Sequence, residues 1–395
     1  MNNNKILYLA CLMVITYLFA NSVCITMLYT LSVEWSLSSS IVHKIIIFYT
    51  CGLGISQLIY GPLSDIYGRK LILLISSSIF LMASICTLFI QSIDLMLMAR
   101  FLQGIGAGSY SVISKAILCD TRDKDDYIKA NSIIMICAVL IEIFAPIIGG
   151  VILTYFSWRM NFIVICAVVV ITSCCIIFLL PETNINRVAH DNKNILSTIC
   201  YNYMVILKNH RFCCYVLLSS GTLSCITIYA ISSSFILQEQ MDLNEFECGI
   251  SFFFTNITFL LGCVFINKFN KKWGSYLNIA FGLFFMVIGA FSMYFYSTMP
   301  DAINLIISMA IFNLGTGLVF PLTTSLAVLE CSRLSGAGSA MIGSLQMFIV
   351  AIVCSLLSQL NINTQLNLSL IIFQITFILL ILFSLNVFIS KQFRK

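Results

Sequence analysis

Stretches of about twenty apolar residues recur along this chain almost from end to end, and they leave few folds open to it. Each is long enough to cross a hydrocarbon core of ~30 Å. Inside hydrocarbon the backbone must satisfy its own hydrogen bonds, so a spanning segment is either a helix or a strand of a closed barrel. Barrel strands alternate apolar and polar residues over roughly ten positions. These runs do not alternate, so the chain reads as an all-α membrane protein. Only 9% of its residues are charged and its mean hydropathy is +1.01, against roughly 25% charged residues in soluble proteins.

Twelve spans are expected: Ile6–Leu31, Ile45–Leu63, Leu71–Ile90, Leu95–Leu118, Ser132–Tyr155, Phe162–Leu180, Phe212–Ile236, Cys248–Ile266, Tyr276–Tyr296, Ala302–Leu322, Ala340–Leu360 and Leu368–Ile389. One polar stretch, 181–211, interrupts the series after the sixth. Its Glu182, Asn184, Arg187, His190, Asp191 and Lys193 carry too little apolar surface to fold alone, which predicts a cytoplasmic linker. The division is therefore an N-terminal six-helix bundle (1–180), the linker (181–211) and a C-terminal six-helix bundle (212–395). A faint internal repeat supports two related halves. Gln103-Gly104-Ile105-Gly106 has a counterpart in Leu314-Gly315-Thr316-Gly317, and Tyr67-Gly68 a weaker one in Trp273-Gly274. Parallel repeats of this kind belong to transporters with a substrate site near the midplane.

Charge placement orients the chain. Lys5, Arg69, Lys70, Arg122, Lys124, Arg187, Lys193, Lys268, Lys271, Lys272, Arg333 and Lys391 fall on one side, while Lys44 and Arg159 fall on the other. The positive-inside rule puts both termini in the cytoplasm, and these cations need no nucleic-acid partner. Most of the 17 cysteines lie within apolar runs, where cysteine packs as a small hydrophobe. The adjacent pairs Cys174-Cys175 and Cys213-Cys214 lack metal or redox spacing. The first span is too long for a signal peptide and has no clear cleavage site, so it is read as a retained helix. Neither a nucleotide loop nor an HExxH pattern is present, so no enzyme, cofactor or metal is expected.

Three segments carry the functional argument. Gly61-Pro62-Leu63-Ser64-Asp65-Ile66-Tyr67-Gly68-Arg69-Lys70 is a charged turn between two spans, with Asp65 and Arg69 one helical turn apart. Arg100 opens Arg100-Phe101-Leu102-Gln103-Gly104-Ile105-Gly106-Ala107-Gly108 inside the fourth span. A cation there is costly unless it faces protein or water, which makes it a functional residue or one snorkelling to the nearby interface. The fifth span holds Glu142, then Ala145-Pro146-Ile147-Ile148-Gly149-Gly150. Glu142 is read as the one carboxylate deep within a span. Burial suits such a group to carry protons. It could equally form a static ion pair with Arg100, set within roughly a turn of it by depth, or be a neutral acid bonded to Asn256. Glu34 lies past the end of the first span and is expected to be solvated.

The turn at Gly61–Lys70 resembles the loop between the second and third helices of major facilitator transporters, G-x-L-x-D-R-x-G-R-[KR], with Ile66 where the family has arginine. Arg100–Ala107 resembles the family's R-x-x-Q-G-x-G-A segment, and Ala145–Gly150 its antiporter segment G-P-x-x-G-G, with alanine first. Trp158-Arg159 and Phe162 match the drug-antiporter branch. Gly315–Pro321, Ser335–Ala340, Gly343 and Gln346 resemble the bicyclomycin-resistance (Bcr/CflA) subgroup, and Lys115-Ala116-Ile117-Leu118-Cys119-Asp120 is similar to a degraded form of its R-A-x-x-R-D.

This resemblance implies the major facilitator fold, with twelve transmembrane helices in two six-helix bundles around a cavity. It implies a gating loop of Gly61, Asp65, Gly68, Arg69, Lys70 and Asp120, in which Asp65 meets the start of helix eleven near Gly336–Ser339 and Arg69 pairs with Asp120. It assigns proton coupling to Arg100, beside which Glu142 stands as a candidate from its depth in the span alone, and contact between the halves to Ala145, Pro146, Gly149 and Gly150. Tyr17, Asn21, Tyr229, Asn256, Asn313 and Gln346 are polar candidates for the cavity. The family branch carries an acid in helix one, yet Ala20–Tyr29 holds none, which disfavours cationic cargo. The implied protein is a monomeric bacterial inner-membrane exporter of drug-like molecules by proton antiport. Alternatives are a metabolite or siderophore exporter on the same scaffold, or a membrane receptor.

Overall fold

The computed structural model describes residues 3–122, 124–184, 201, 203–298, 300–331, 335–358 and 364–392. In the first half the helices are α1 (Asn3–Ser22), α2 (Met27–Glu34), α3 (Ser39–Tyr67), α4 (Arg69–Thr87), α5 (Ile93–Thr121), α6 (Lys124–Tyr155) and α7 (Arg159–Leu179). The second half has α8 (His210–Phe235), α9 (Glu245–Phe295), α10 (Ala302–Glu330), α11 (Ser335–Ser358) and α12 (Gln365–Gln392). A π-helical turn, Ile236–Gln240, extends α8. Helix α9 is bent at Gly274, whose φ of 75° splits it into two membrane-length arms. With that split, eleven of the described helices are long and apolar enough to span a bilayer. Helix α5 is the twelfth span, made less apolar by Arg100, Gln103 and Lys115.

Span one departs from expectation. The stretch 6–31 is two helices rather than one, because α1 stops at Ser22 and four residues of turn precede α2. The freed carbonyls find other donors, as described below, and this is what makes a break tolerable in hydrocarbon. Helix starts elsewhere follow local chemistry. Asn209 Oδ1 accepts from the N–H groups of Arg211 and Phe212. Asn244 and Glu247 form a reciprocal capping box at the start of α9. Both halves also make the same tight turn with glycine. Gly68 joins α3 to α4 at φ 101°, and Gly274 joins the arms of α9 at φ 75°. Only glycine enters that region without a Cβ penalty.

Helices touch backbone to backbone inside each half. A Cβ built on Gly104 of α5 would stand 2.1 Å from the Tyr49 carbonyl of α3, and one on Gly106 would stand 2.5 Å from the Phe80 nitrogen of α4. In the second half, a Cβ built on Gly317 of α10 would collide with the Phe259 carbonyl and one on Gly315 with the Gly282 carbonyl. The faint repeat in sequence is therefore a repeated packing device: a small-residue helix pressed against two neighbours. Buried hydroxyls stitch the same surfaces, with Ser76 on Ser109 and Ser77 on Tyr110 between α4 and α5.

The halves meet along two seams, α3 against α11 and α6 against the first arm of α9. A smaller contact joins α2 and α8 at the end of the molecule opposite the termini, called here the far end.

Gly104→Ala forces a methyl group onto an immovable carbonyl, and a cost of about 1–3 kcal/mol is expected. Gly61→Ala meets only ordinary contacts at 3.6 and 3.7 Å. The melting temperature of purified protein should fall for the first and stay near wild type for the second; equal melting of the two would contradict the packing described.

Candidate functional site

At the end bearing the termini, Arg69 is the hub of the α3–α4 turn. Its Nη1 lies 2.6 Å from Asp65 Oδ1 and donates to Ser64 Oγ at 2.6 Å, while its Nε donates to Asp120 Oδ2 at 3.0 Å. The guanidinium side chain is 9% exposed against 59% for Asp65, so the Asp120 contact is the sheltered one and the Asp65 contact is open to screening. Sequence reasoning missed a further carboxylate. Glu182 accepts from the N–H groups of both Arg69 and Lys70, at 3.0 and 3.3 Å. An acid at a helix start meets the positive end of the helix dipole and satisfies orphan donors. Thr183 donates to Asp120, and Asn184 donates to the Asp65 carbonyl.

The stretch 181–184 is thus part of the turn, not free linker; residues 185–200 lie outside the described structure. No local spacing pointed to Glu182, because its partners are more than a hundred residues away. The expected Asp65 contact with the start of α11 falls partly on side chains outside the described set, and the described partners of Asp65 are Arg69 and Asn184.

Arg100 is completely buried. Its Nε donates to the Ile45 carbonyl at 3.3 Å, and its Nη1 donates to the Ala20 carbonyl at 3.1 Å and to Gln103 Oε1 at 2.9 Å. The guanidinium lies over the Tyr49 ring, 4.3 Å from its centroid. Ala20 is next to the α1 break, so Arg100 supplies a donor where the helix ladder stops. Snorkelling to an interface does not describe a side chain held on three helices. Nor does an ion pair with Glu142: among the described residues Arg100 bonds carbonyl and amide oxygens only.

Glu142 sits on the α6 seam instead. It lies within electrostatic reach of Tyr17 in the first half and Cys263 in the second. Asn256 of α9 donates to its backbone carbonyl at 3.2 Å, not to the carboxylate. Around it the seam is built from small residues. Cβ atoms on Gly150 and Gly249 would meet the carbonyls of Glu245 and Pro146 at 2.4 and 2.8 Å. Gly149 turns to the α1 break, where an added Cβ would stand 2.6 Å from Val23 O. On the other seam, Ser344 donates to the Gly54 carbonyl at 2.7 Å, and a Cβ built on Gly61 would stand 3.7 Å from Ala340 Cβ.

The far end is closed by uncharged contacts. Ser234 donates to the Ile25 carbonyl at 3.0 Å and Gln238, in the π turn, to the Thr26 carbonyl at 3.5 Å. Phe235 packs edge-on against Tyr29 and His43. Glu34, expected in solvent, accepts from Trp158 Nε1 at 2.8 Å and stands 3.7 Å from Arg159. Arg159 in turn stacks on Trp158 at 4.2 Å, so the Trp158-Arg159 pair recognised in sequence clamps the end of α2.

The cavity candidates separate. Tyr17 and Asn21 lie on α1, both half-buried, and Tyr17 stands beside Ser111. Asn256 is on the seam. Tyr229, Asn313 and Gln346 are buried inside the second half: Tyr229 packs on Phe252, Asn313 donates to the Thr255 carbonyl, and Gln346 donates to Ser219 and Thr324.

Comparison with known proteins places these features in context. The sequence profile described as Major Facilitator Superfamily matches residues 9–354. Multidrug resistance protein D of Escherichia coli (strain K12) is 26% identical over 367 residues, covering 91% of this chain and 89% of that protein. The Bicyclomycin resistance protein homolog of Haemophilus influenzae is 25% identical over 330 residues, covering 80% and 79%. In overall structure the chain is similar to the xylose transporter XylE from E. coli in a partially occluded inward open conformation. The TM-score is 0.76 at 15% identity, with 99% of each chain covered. The nucleoside transporter NupG gives a TM-score of 0.73 at 14% identity, covering 97% of this chain and 99% of that one.

Arg69 and Asp120 should act as one energetic unit. A double-mutant cycle of Arg69→Gln and Asp120→Asn, read by denaturation of purified protein, is expected to give a coupling of ~0.5–3 kcal/mol. Additive losses would show that the pair contributes no mutual stabilisation.

Proposed function

The chain belongs to the Major Facilitator Superfamily, and from that premise we propose that it exports small, drug-like organic molecules across a bacterial inner membrane in exchange for protons. The end with the Arg69 hub is the cytoplasmic end on this reading, because the cations cluster there. The observation that carries the proposal is Glu142, a half-buried carboxylate on the seam between Tyr17 of one half and Cys263 of the other. A proton on such a group changes the charge between two bodies that must separate and re-form. The names of the two relatives support drug-like cargo.

The mechanism follows from the contacts. Both seams are held by small residues and by bonds to backbone carbonyls, which allow sliding without breaking a buried ion pair. Rocking about them alternately exposes the space near Tyr17, Gln57 and Ser111 to each side. The far end closes through Ser234, Gln238 and Phe235; the cytoplasmic end is stiffened by Arg69, Asp65, Asp120 and Glu182. A ligand shifts such an equilibrium only by binding one state better than the other. Proton and cargo must therefore prefer opposite openings. Arg100 holds the broken first span in register and is the second group placed to respond to the proton.

Two measurements test this. In proteoliposomes with an imposed pH gradient, Glu142→Gln should remove pH-driven exchange while cargo still equilibrates down its own gradient; unchanged coupling would discard Glu142 as the carrier. Gly61→Cys with Ala340→Cys, in a background stripped of other accessible cysteines, places two Cβ atoms 3.7 Å apart, within disulfide geometry. Oxidation should stop flux and a reductant should restore it. Full flux through the cross-linked protein would mean that this seam does not open.

A further inference from the structure

We infer that Lys115 is the residue by which the transport pathway recognises the acidic group of an organic carboxylate, an inference that rests on the transport reading above. Lys115 sits on α5 six residues before the helix ends at Thr121, about 9 Å inside that end at 1.5 Å per residue. It is half-buried. Among the described residues it has neither an ion pair nor a hydrogen bond. An ammonium inside an apolar bundle is costly, and such groups face a water-filled path and mark its substrate.

The direction Lys115 takes is fixed by its neighbours on the helix. Gly106, Ser109 and Tyr110 turn toward α4, where they meet Phe80, Ser76 and Ser77. Ser111 is on the opposite side of α5, beside Tyr17 of α1 and accepting from Gln57 of α3 at 3.2 Å. Lys115 is one turn from Ser111 on that same side, since residues four apart share a helix face. This level of α5 borders the second half. Val112 lies near Gly61, which stands against Ala340 of α11, and Gln57 lies against Gly343.

Among the described residues, the pathway therefore presents a cation with hydroxyls beside it and no carboxylate answering it. Asp65 and Asp120, nearer the cytoplasmic end, are both engaged by Arg69. Glu142 lies within electrostatic reach of Tyr17 and Cys263, and the first span has no acid between Ala20 and Tyr29. The Gln57 Oε1 atom is buried without a partner, so the same cluster still has an acceptor to offer a cargo N–H or O–H. A carboxylate carried on an apolar body fits this set, because a charge-assisted bond to lysine in a sheltered site is about twice as strong as a neutral one.

The test uses three tritiated probes with one aromatic body: naphthalene-2-acetate, its neutral amide, and the (naphthylmethyl)trimethylammonium cation. Binding to purified full-length protein is measured first, with melting and size exclusion confirming that each variant is folded. Wild type should bind the carboxylate at least roughly tenfold tighter than the other two. Lys115→Gln should lose that preference, Lys115→Arg should keep it, and Lys115→Glu should move it to the cation. Equal binding of the three probes by wild type, or an undiminished preference in folded Lys115→Gln, would overturn the inference.

Proteoliposome flux under a pH gradient separates the two readings. Movement of amide or cation with no dependence on Lys115 leaves export standing and removes the role given to Lys115. Lys115-dependent binding of the carboxylate with no pH-driven flux of any probe removes proton antiport and leaves the recognition site.

Discussion

A backbone carbonyl or buried charge inside the spans is costly unless protein supplies its partner, because hydrocarbon offers none. That constraint organises the molecule around Arg100. The guanidinium is buried without a carboxylate and is held by the Ala20 and Ile45 carbonyls, the Gln103 amide and the Tyr49 ring. Those partners belong to α1, α3 and α5, so one side chain ties three helices and fills the gap in the ladder where α1 stops. At the break in the first span, α5, α8 and its π-helical turn donate to the Ala20, Ile25 and Thr26 carbonyls, in addition to the bonds made within the turn itself.

The same constraint explains why the seams differ from the interiors of the halves. Inside each half, glycines bring backbones together and hydroxyls bond across the contact. Between the halves the bonds fall on backbone carbonyls: Ser344 on Gly54, Asn256 on Glu142, Ser234 on Ile25 and Gln238 on Thr26. A carbonyl acceptor leaves no buried charge when its donor departs, so separating the halves costs far less than breaking a buried ion pair. The ionic contacts cluster instead at the two ends, around Arg69 and around Glu34. There water can solvate what is exposed, and each cluster lies within one half.

Much of the fold was legible in the chain. The spans, the glycine turns at Gly68 and Gly274, and the two small-residue helices follow from hydropathy and from the steric needs of glycine. Arg100 and Glu142 stood out because charge is rare at that depth. The sites were less legible. Glu182 read as linker because the N–H groups it caps are far away in sequence. Glu34 read as solvated and is exposed, but its contacts with Trp158 and Arg159 were not legible because those residues are more than a hundred positions away. Tyr229, Asn313 and Gln346 read as cavity candidates on polarity alone; the structure buries all three in the second half, where Asn313 and Gln346 bond to neighbouring helices.

The sequence by itself determined that this chain crosses a membrane as helices, that it does so twelve times, and that it contains two related sets of six. Those properties are one-dimensional: they depend on the length of apolar runs, on glycine at fixed places and on where charge is absent. Tertiary structure alone decided which polar residues answer one another. Arg100 was separated from Glu142, Glu182 was brought to Arg69, and Lys115 was set on the Ser111 side of α5, with no ion pair among the described residues. The reason is rotational: depth along a helix is written in the sequence, but the face a side chain presents is settled only when neighbouring helices pack against it.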